Sequence, residues 1–553
     1  MHMFLKTFCL CSLLAVSISA EEQEIAASLP SNRIVARQDL KGILLIPSRN
    51  DLLEKGEGIE GFGVYQMDIP GGSLALNEAL ADQFIGKVIN QEMLRDLKQE
   101  VVLYYRDQGF PLVAVEIPEQ NISKGVVQLV VTESVLGKVI IRGNRHFSTN
   151  SLKSCIRAHA GDKIHSATLL EDIAWINRNS FRHADLLFAP GEKEGTTDVE
   201  VIIKDRLPLQ VYAGVDNTGI TSTGHLRWFT GLRWGNVFGL GHTFNYQFTT
   251  ASEYRKFWAH SFMYNAPLSW RHVLLVYGGF SQIHPDIKDF RSHGHNTQVS
   301  VRYQMPIPPT YNRFIQEPSI GYDFKNLNSN LFYSQPNAFT PVVSHQVNIM
   351  QFYAGYSLGK KWDKNTLSFR VEGFWSPGAM TIHQSNEDFS SLHPGAKNHY
   401  FYSRLSFSDT WTLPMNFALS GQFRGQISTQ NLVPSEQFGL GGYETVRGYQ
   451  EREWNYDDAI CLNLECYMPA FSLTGKLARD QAKFLLFFDY GTGRNVHVES
   501  GPPQWQHLMS VGPGFRYQFS RYLSARVDWG IRLDETTFNG YGSRVHFGLM
   551  GSY

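Results

Sequence analysis

From Leu209 to the last residue, apolar and polar positions alternate with a period of two. In LQVYAGVD, Leu209, Val211, Ala213 and Val215 share one face, and Gln210, Tyr212, Gly214 and Asp216 share the other. QVSVRYQM sets Val299, Val301, Tyr303 and Met305 against Gln298, Ser300, Arg302 and Gln304. YLSARVDWGIR sets Leu523, Ala525, Val527, Trp529 and Ile531 against Ser524, Arg526, Asp528 and Gly530. Successive side chains of a strand point to opposite faces, so this is a β pattern. About sixteen candidate strands can be placed, beginning near residues 209, 225, 242, 255, 272, 296, 316, 346, 364, 399, 415, 458, 482, 510, 521 and 543. Connections after even-numbered strands are short (NVFGLG, PIPPTYN, GKKWDK, TLPM). Those after several odd-numbered strands are long, at 326–345, 376–398, 426–457 and 491–509. An even strand number with short turns at one end and long loops at the other describes a bacterial outer-membrane β-barrel. A soluble β-sandwich would usually split so long a run into smaller domains.

Upstream the period changes. Residues 61–134 predict strand, helix, helix, strand, strand. VYQMDI is a short strand, and INQEMLRDLKQEVVLYYRDQGF is a helix with Leu94, Leu97, Val101 and Tyr104 on one face and Gly109 at its C-cap. PLVAVEI and GVVQLVVTE are strands joined by a turn through Asn121 to Gly125. Residues 135–207 predict the same order. GKVIIRG is a strand, STNSLKSCIRAHAG a helix closed by Gly161, and SATLLEDIAWINRN a second helix with Ser166 at its N-cap and Leu169, Ile173 and Ile176 on one face. DLLFAP and TTDVEVIIKDR complete this unit as strands. Two successive units with one element order form an internal repeat of architecture.

The start of the chain supplies an address. MHMFLKTFCLCSLLAVSISA carries Lys6, an apolar run from Thr7 to about Val16 and then small residues, the plan of a secretory signal peptide over 1–20. The run is too short for a membrane span of about 20 apolar residues. Cys155, Cys461 and Cys466 remain after that leader, an odd number that gives no disulfide framework. Net charge is −1, so no basic field invites nucleic acid. There is no HExxH, GxSxG or GxxxxGK[ST] pattern and no Cys/His cluster with metal spacing, so neither an enzyme nor a cofactor or metal is expected. The last stretch, SRVHFGLMGSY, puts Val545, Phe547, Leu549 and Tyr553 on one face and ends on an aromatic residue.

Several stretches together resemble the two-partner secretion outer-membrane transporters (the TpsB family), within the superfamily that includes the barrel-assembly insertase BamA. Val446-Arg447-Gly448-Tyr449 in GGYETVRGYQER matches the family's motif of the sixth external loop. Phe487-Phe488-Asp489-Tyr490-Gly491 matches the F-x-D-x-G motif of strand thirteen. Gly512-Pro513-Gly514-Phe515-Arg516-Tyr517 resembles the next motif, and IPEQNISKGVVQLVVTES resembles a hairpin of the family's POTRA domains. DNTGITSTGHLRW and NVFGLGH resemble its first barrel strands, with His242 where an Asp is common.

The resemblance implies a mainly β fold: a 16-stranded transmembrane β-barrel at 208–553, preceded by two small α/β POTRA-like domains at 61–134 and 135–207 in the periplasm. Residues 21–60 would hold a plug helix and linker or, equally, a disordered tail. The final strand would be the signal by which the barrel-assembly machinery inserts the chain into outer-membrane lipid. The partner would be a large secreted TpsA-like client, whether adhesin, cytolysin or haem-binding protein. The POTRA-like units would bind its unfolded N-terminal segment by strand addition or in a helix–strand groove. In such a barrel loop six folds back into the pore, which pairs Arg447 with Asp489. Alternation sets Leu485, Phe487, Asp489 and Gly491 on the face opposite Phe484, Leu486 and Phe488, and if Phe488 meets lipid, Asp489 points into the lumen, where a carboxylate needs water or a partner. An arginine fork suits that carboxylate. Two alternatives share features: an assembly factor of the BamA type, and a passive porin, which would lack the repeat pair and both motifs.

Overall fold

The computed structural model describes residues 38–53, 59–193, 195–287, 290–308, 314–335, 338–477, 479–498, 504–536 and 540–553. The leader expected over 1–20 and the helix expected in EEQEIAASLPSNRIVAR lie outside these residues.

The N-terminal sheet contains β1 (Gly42–Ile46), β2 (Gly61–Val64), β3 (Val113–Glu116) and β4 (Val126–Glu133), in the order β2-β1-β4-β3. β1 runs parallel to both its neighbours, and all five of its residues are buried. An unbroken apolar run, GILLI, is what a parallel strand covered on both faces requires. The first unit therefore begins with β1, and the expected start at residue 61 is too late: β1, not β2, is the strand that precedes the two helices in the core of the sheet. Helices α1 (Ser73–Phe84) and α2 (Gln91–Asp107) cover one face. Asn90 caps α2 by accepting from Met93 N at 2.7 Å. The buried stripe of α2 is Met93, Leu97, Val101 and Tyr105, whereas Leu94 and Tyr104 sit at its margin. A strict spacing of four thus defines the seam, one position away from two of the four expected residues.

The second α/β layer has β5 (Val135–Arg142), α3 (Thr149–Lys153), α4 (Ser166–Asn177), β6 (Arg182–Pro190) and β7 (Thr196–Asp205), in sheet order β5-β7-β6. The helix expected to run on to Gly161 is only α3. It stops at Lys153: Cys155 N and Ile156 N donate to carbonyls three residues back, at 3.1 and 3.0 Å, and Arg157 N donates to the Asp172 carboxylate at 2.8 Å. Ser166 is the first residue of α4 and not its cap.

Sixteen strands, among the described residues, close an antiparallel barrel when Asp286–Ile287 is taken as a continuation of the fifth. The first is Leu209–Asp216 and the sixteenth Ser543–Ser552, and these two pair to close the cylinder. The side chain of Asn217 continues that seam beyond the strand: it donates to Val545 O at 2.7 Å and accepts from Phe547 N at 2.9 Å. On the fifteenth strand, Leu523–Arg532, the exposure pattern is the reverse of a soluble sheet. Val527 and Trp529 are 43% and 48% exposed, while Asp528 between them is fully buried. Apolar side chains outside and polar ones inside suit a cylinder bathed in lipid.

Among the described residues, most of one expected loop is strand. Residues 326–345 mostly extend the seventh strand, Ile315–Gln335, and the eighth, Ala338–Lys361, which pair as far as Gln335 opposite Ala338. The expected loop over 376–398 holds a short helix, α5 (Asn386–Leu392), with a capping box between Ser385 and Asp388.

Candidate functional site

Loop six joins the eleventh strand, Ala418–Ser428, to the twelfth, Asp458–Tyr467. Its two limbs pair through Phe438–Leu440 and Trp454–Tyr456, and Arg452 Nη2 ties them by donating to the Pro434 carbonyl at 2.7 Å. Gly441 and Gly442 have φ of 98° and 104°, values that side chains disfavour, and they open the turn towards the tip. At the tip Val446, Arg447 and Tyr449 are all buried.

Arg447 ends against the thirteenth strand, Asp480–Arg494. Its Nε and Nη2 each donate to one oxygen of Asp489 at 2.7 Å, a planar fork of two nitrogens where a lysine has one. The main-chain N–H of Arg447 adds a third donor to Asp489 at 3.0 Å, and Asn463 Nδ2 a fourth at 2.7 Å. The guanidinium lies over the ring of Phe487, 3.6 Å from its centroid. Its remaining nitrogen, Nη1, faces Glu465 on the twelfth strand at 2.6 Å and Asp528 on the fifteenth at 3.4 Å. Arg516, on the fourteenth strand (Gln506–Phe519), is the second cation here and meets Asp528 at 2.9 Å. Three strands, the twelfth, thirteenth and fifteenth, thus reach one loop side chain, and the fourteenth sets Arg516 beside their acids.

Close approach depends on missing side chains. A Cβ on Gly530 would stand 2.3 Å from Gly448 N, and one on Gly491 would stand 2.8 Å from a methyl of Val446. Gly512 and Gly514 are hemmed in by Trp529 O and by Asp528 in the same way. Gly448, at φ 95°, turns the chain and donates its N–H to His546 Nε2 at 3.0 Å. The Tyr449 hydroxyl donates to the Asp534 carbonyl at 2.8 Å. A cavity of about 990 Å³ adjoins the tip on the side of the short turns, lined in part by Tyr443, Tyr467, Arg516 and Arg526.

The structure brings together Val446, Arg447, Gly448 and Tyr449 with Phe487, Asp489, Gly491, Gly512, Gly514 and Arg516. It also adds Asn463, Glu465, Asp528, Gly530 and His546, which no motif announced. Asp528 and Gly530 already stood on the polar face of their strand, and that was the available signal. Cys461 is buried and Cys466 exposed on the twelfth strand, as a spacing of five on one strand requires.

A second fastening lies where the α/β layer of β5–β7 meets barrel turns. Arg271, in the turn after the fourth strand (Phe257–Pro267), donates to Asp172 at 2.6 Å and to the Cys155 carbonyl at 2.7 Å. Asp172 is fully buried and also receives Arg157 Nε at 2.8 Å. Asn179 Nδ2 donates to the Gly235 carbonyl at 2.6 Å, and the ring of Phe181 occupies the space a Cβ on Gly235 would need. Burial pushes the Cys155 thiol up from its ordinary value, against the pull of Arg182 and Arg271, so it is a poor nucleophile.

Residues 195–517 match the haemolysin secretion/activation protein family ShlB/FhaC/HecB, and residues 71–134 match the ShlB-type POTRA domain. Among curated proteins, the heme/hemopexin transporter protein HuxB of Haemophilus influenzae is 22% identical over 479 residues, covering 82% of this chain and 80% of that protein. The outer membrane transporter CdiB-2 of Burkholderia pseudomallei is 27% identical over 202 residues, 36% of this chain and 34% of that one. Of solved structures, CdiB from Escherichia coli superposes with a TM-score of 0.73 at 15% identity, covering 97% of this chain and 98% of that one. BamA from Haemophilus ducreyi lacking POTRA domains 1–3 gives 0.51 at 13% identity, covering 87% and 97%. At these identities the two structures bear on the fold alone.

Proposed function

The chain belongs to the haemolysin secretion/activation (ShlB/FhaC/HecB) family and is an outer-membrane transporter that exports a TpsA-like partner protein, and from that premise we propose that Arg447 is the latch of its pore. The carrying observation is the fork of Arg447 on Asp489 inside the lumen.

The chemistry suits a latch that must reopen. Removing one partner of a buried ion pair ordinarily costs about 3–5 kcal/mol, because the other charge stays buried and bare. In a barrel lumen that penalty is relieved when the whole loop leaves, since water then reaches Asp489, Glu465 and Asp528 together. Loop six is therefore held firmly while seated and is not trapped. An extended client strand passing the lumen would take its place.

Recognition would begin in the periplasm. Among the described residues the first sheet ends at β2 and β3, and strand addition there would supply main-chain hydrogen bonds to an unfolded client whatever its sequence. Whether the cargo is an adhesin, a cytolysin or a haem-binding protein depends on the client gene. The apolar outer face, with Val527, Trp529 and Val545 exposed, meets outer-membrane lipid, and the last strand is what the barrel-assembly machinery reads during insertion.

Replacing Arg447 with Ala while following release of the genetically linked large exported protein tests this. Loss of release at normal barrel levels is expected. Normal release of that client together with failed assembly of other outer-membrane proteins would instead indicate an insertase of the BamA type.

A further inference from the structure

Loop six carries another buried charge, of opposite sign to the first. Glu436 lies in the limb that descends to the tip, and its side chain is fully buried. Three wall strands reach it. Lys325 Nζ, on the seventh, donates to its two oxygens at 2.7 and 3.0 Å. Gln351 Nε2, on the eighth, donates at 3.1 Å, and the Tyr402 hydroxyl, on the tenth (His399–Thr412), donates at 2.7 Å. The Glu436 carbonyl accepts from Arg404 Nη2 at 2.9 Å and from Gln426 Nε2 at 3.2 Å. Gln351 is itself held by Asp323 and by the Tyr400 hydroxyl. An apolar cluster with Phe389 of α5, Leu432 and Val433 of loop six, and Tyr400 and Tyr402 of the wall packs beside this network.

We infer that Glu436 is a second positioning residue of the transporter: it seats the descending limb of loop six on the wall strands that carry Lys325, Gln351 and Tyr402, so that the Arg447 tip reaches strand thirteen, and loss of either fastening raises the open fraction of the pore. The inference rests on the latch reading of loop six. The two fastenings sit on different sectors of the wall and share none of the residues named for either. Their polarity is inverted. At the tip a loop cation meets wall acids, and on the limb a loop acid meets a wall cation. A loop fastened only at the tip could pivot about it, and the Glu436 contact removes that freedom. A client that unseats the loop fully has to displace contacts in both sectors.

Conductance of the purified full-length protein in planar bilayers is the test, with heat-modifiable migration reporting the folded barrel. Glu436→Gln and Lys325→Glu should each raise the open fraction several-fold while the barrel stays folded. The exchange Glu436→Lys with Lys325→Glu should return it towards the wild-type value, which a role in packing alone would not produce. Combining Glu436→Gln with Arg447→Ala should open the pore more than either change. Wild-type conductance for folded Glu436→Gln would overturn the inference, and so would failure of the exchange to restore closure. Should Glu436→Gln not fold, Tyr402→Phe, which removes one hydroxyl, takes its place under the same criterion. If Arg447→Ala leaves conductance and client release unchanged while Glu436→Gln opens the pore, the latch reading fails at Arg447 and the role of Glu436 stands.

Discussion

Asp489 and Asp172 are both fully buried, and each fastens one part of the chain to another, but they are protected differently. Asp489 owes its charge compensation to Arg447, which arrives on a loop, with Asn463 as its neutral helper. Asp172 has two arginines. Arg157 comes from its own α/β layer, and Arg271 comes from a barrel turn. Taking the barrel's arginine away from Asp172 leaves an ion pair in place. Taking the loop's arginine away from Asp489 leaves three acids, Asp489, Glu465 and Asp528, with Arg516 as the cation beside them. On the latch proposal, the contact that opens carries its compensating charge on the loop, and the contact that persists carries compensation on both sides.

The sharpest break in this comparison is Arg447→Ala against Arg271→Ala. Arg447→Ala should abolish client release with the barrel still inserted, in line with a loss of about 3–5 kcal/mol from the seated loop. Secretion assays with quantified outer-membrane levels check it. Asp172→Ala should come next. It strands two arginines at once and should cost about 2–4 kcal/mol in stability, seen as a lower unfolding temperature and faster proteolysis near α3 and α4. Gly530→Ala should cost the seated loop about 1–3 kcal/mol, because its methyl would meet Gly448 backbone that has nowhere to move. Raised conductance without loss of barrel stability is the expected signature. Arg447→Lys keeps the charge but reaches only one carboxylate oxygen, so partial release is expected, at about 1–2 kcal/mol. Arg271→Ala should be mildest, within about 1 kcal/mol of wild type in melting experiments, because Arg157 remains. If Arg271→Ala blocked secretion as completely as Arg447→Ala, the distinction between a moving and a standing contact would fall.

Much of this was legible in advance, for particular reasons. Asp489 was placed in the lumen because Leu486 and Phe484 beside it are apolar and alternate with it, and they are 57% and 48% exposed. Arg447 could be matched to it because two short motifs name both ends of the contact. Glu436 and Lys325 have no such motif. A lone acid in a loop and a lone lysine in a strand read as solvated charges until the loop is seen to fold inward. The missed strand β1 is short and flanked by polar sequence, and a buried parallel strand shows no alternation to betray it. The missed extension of strand seven, NLNSNLFYSQ, lacks alternation too. Strand beyond the bilayer has no lipid face to satisfy, so nothing forces every second residue to be apolar.

What the sequence determined by itself is the cylinder. Lipid on one side and water on the other impose a period of two on each spanning strand, and that constraint is local enough to be written residue by residue. Beyond the Arg447–Asp489 pair that the two motifs name, the partners inside the cylinder were decided by tertiary structure. Arg447 meets Glu465, Asp489 and Asp528 because three strands, staggered to close the barrel, bring them to one height on the wall. Gly448 finds His546 for the same reason. Such meetings depend on register summed around the whole barrel, a quantity that no single stretch of the chain carries.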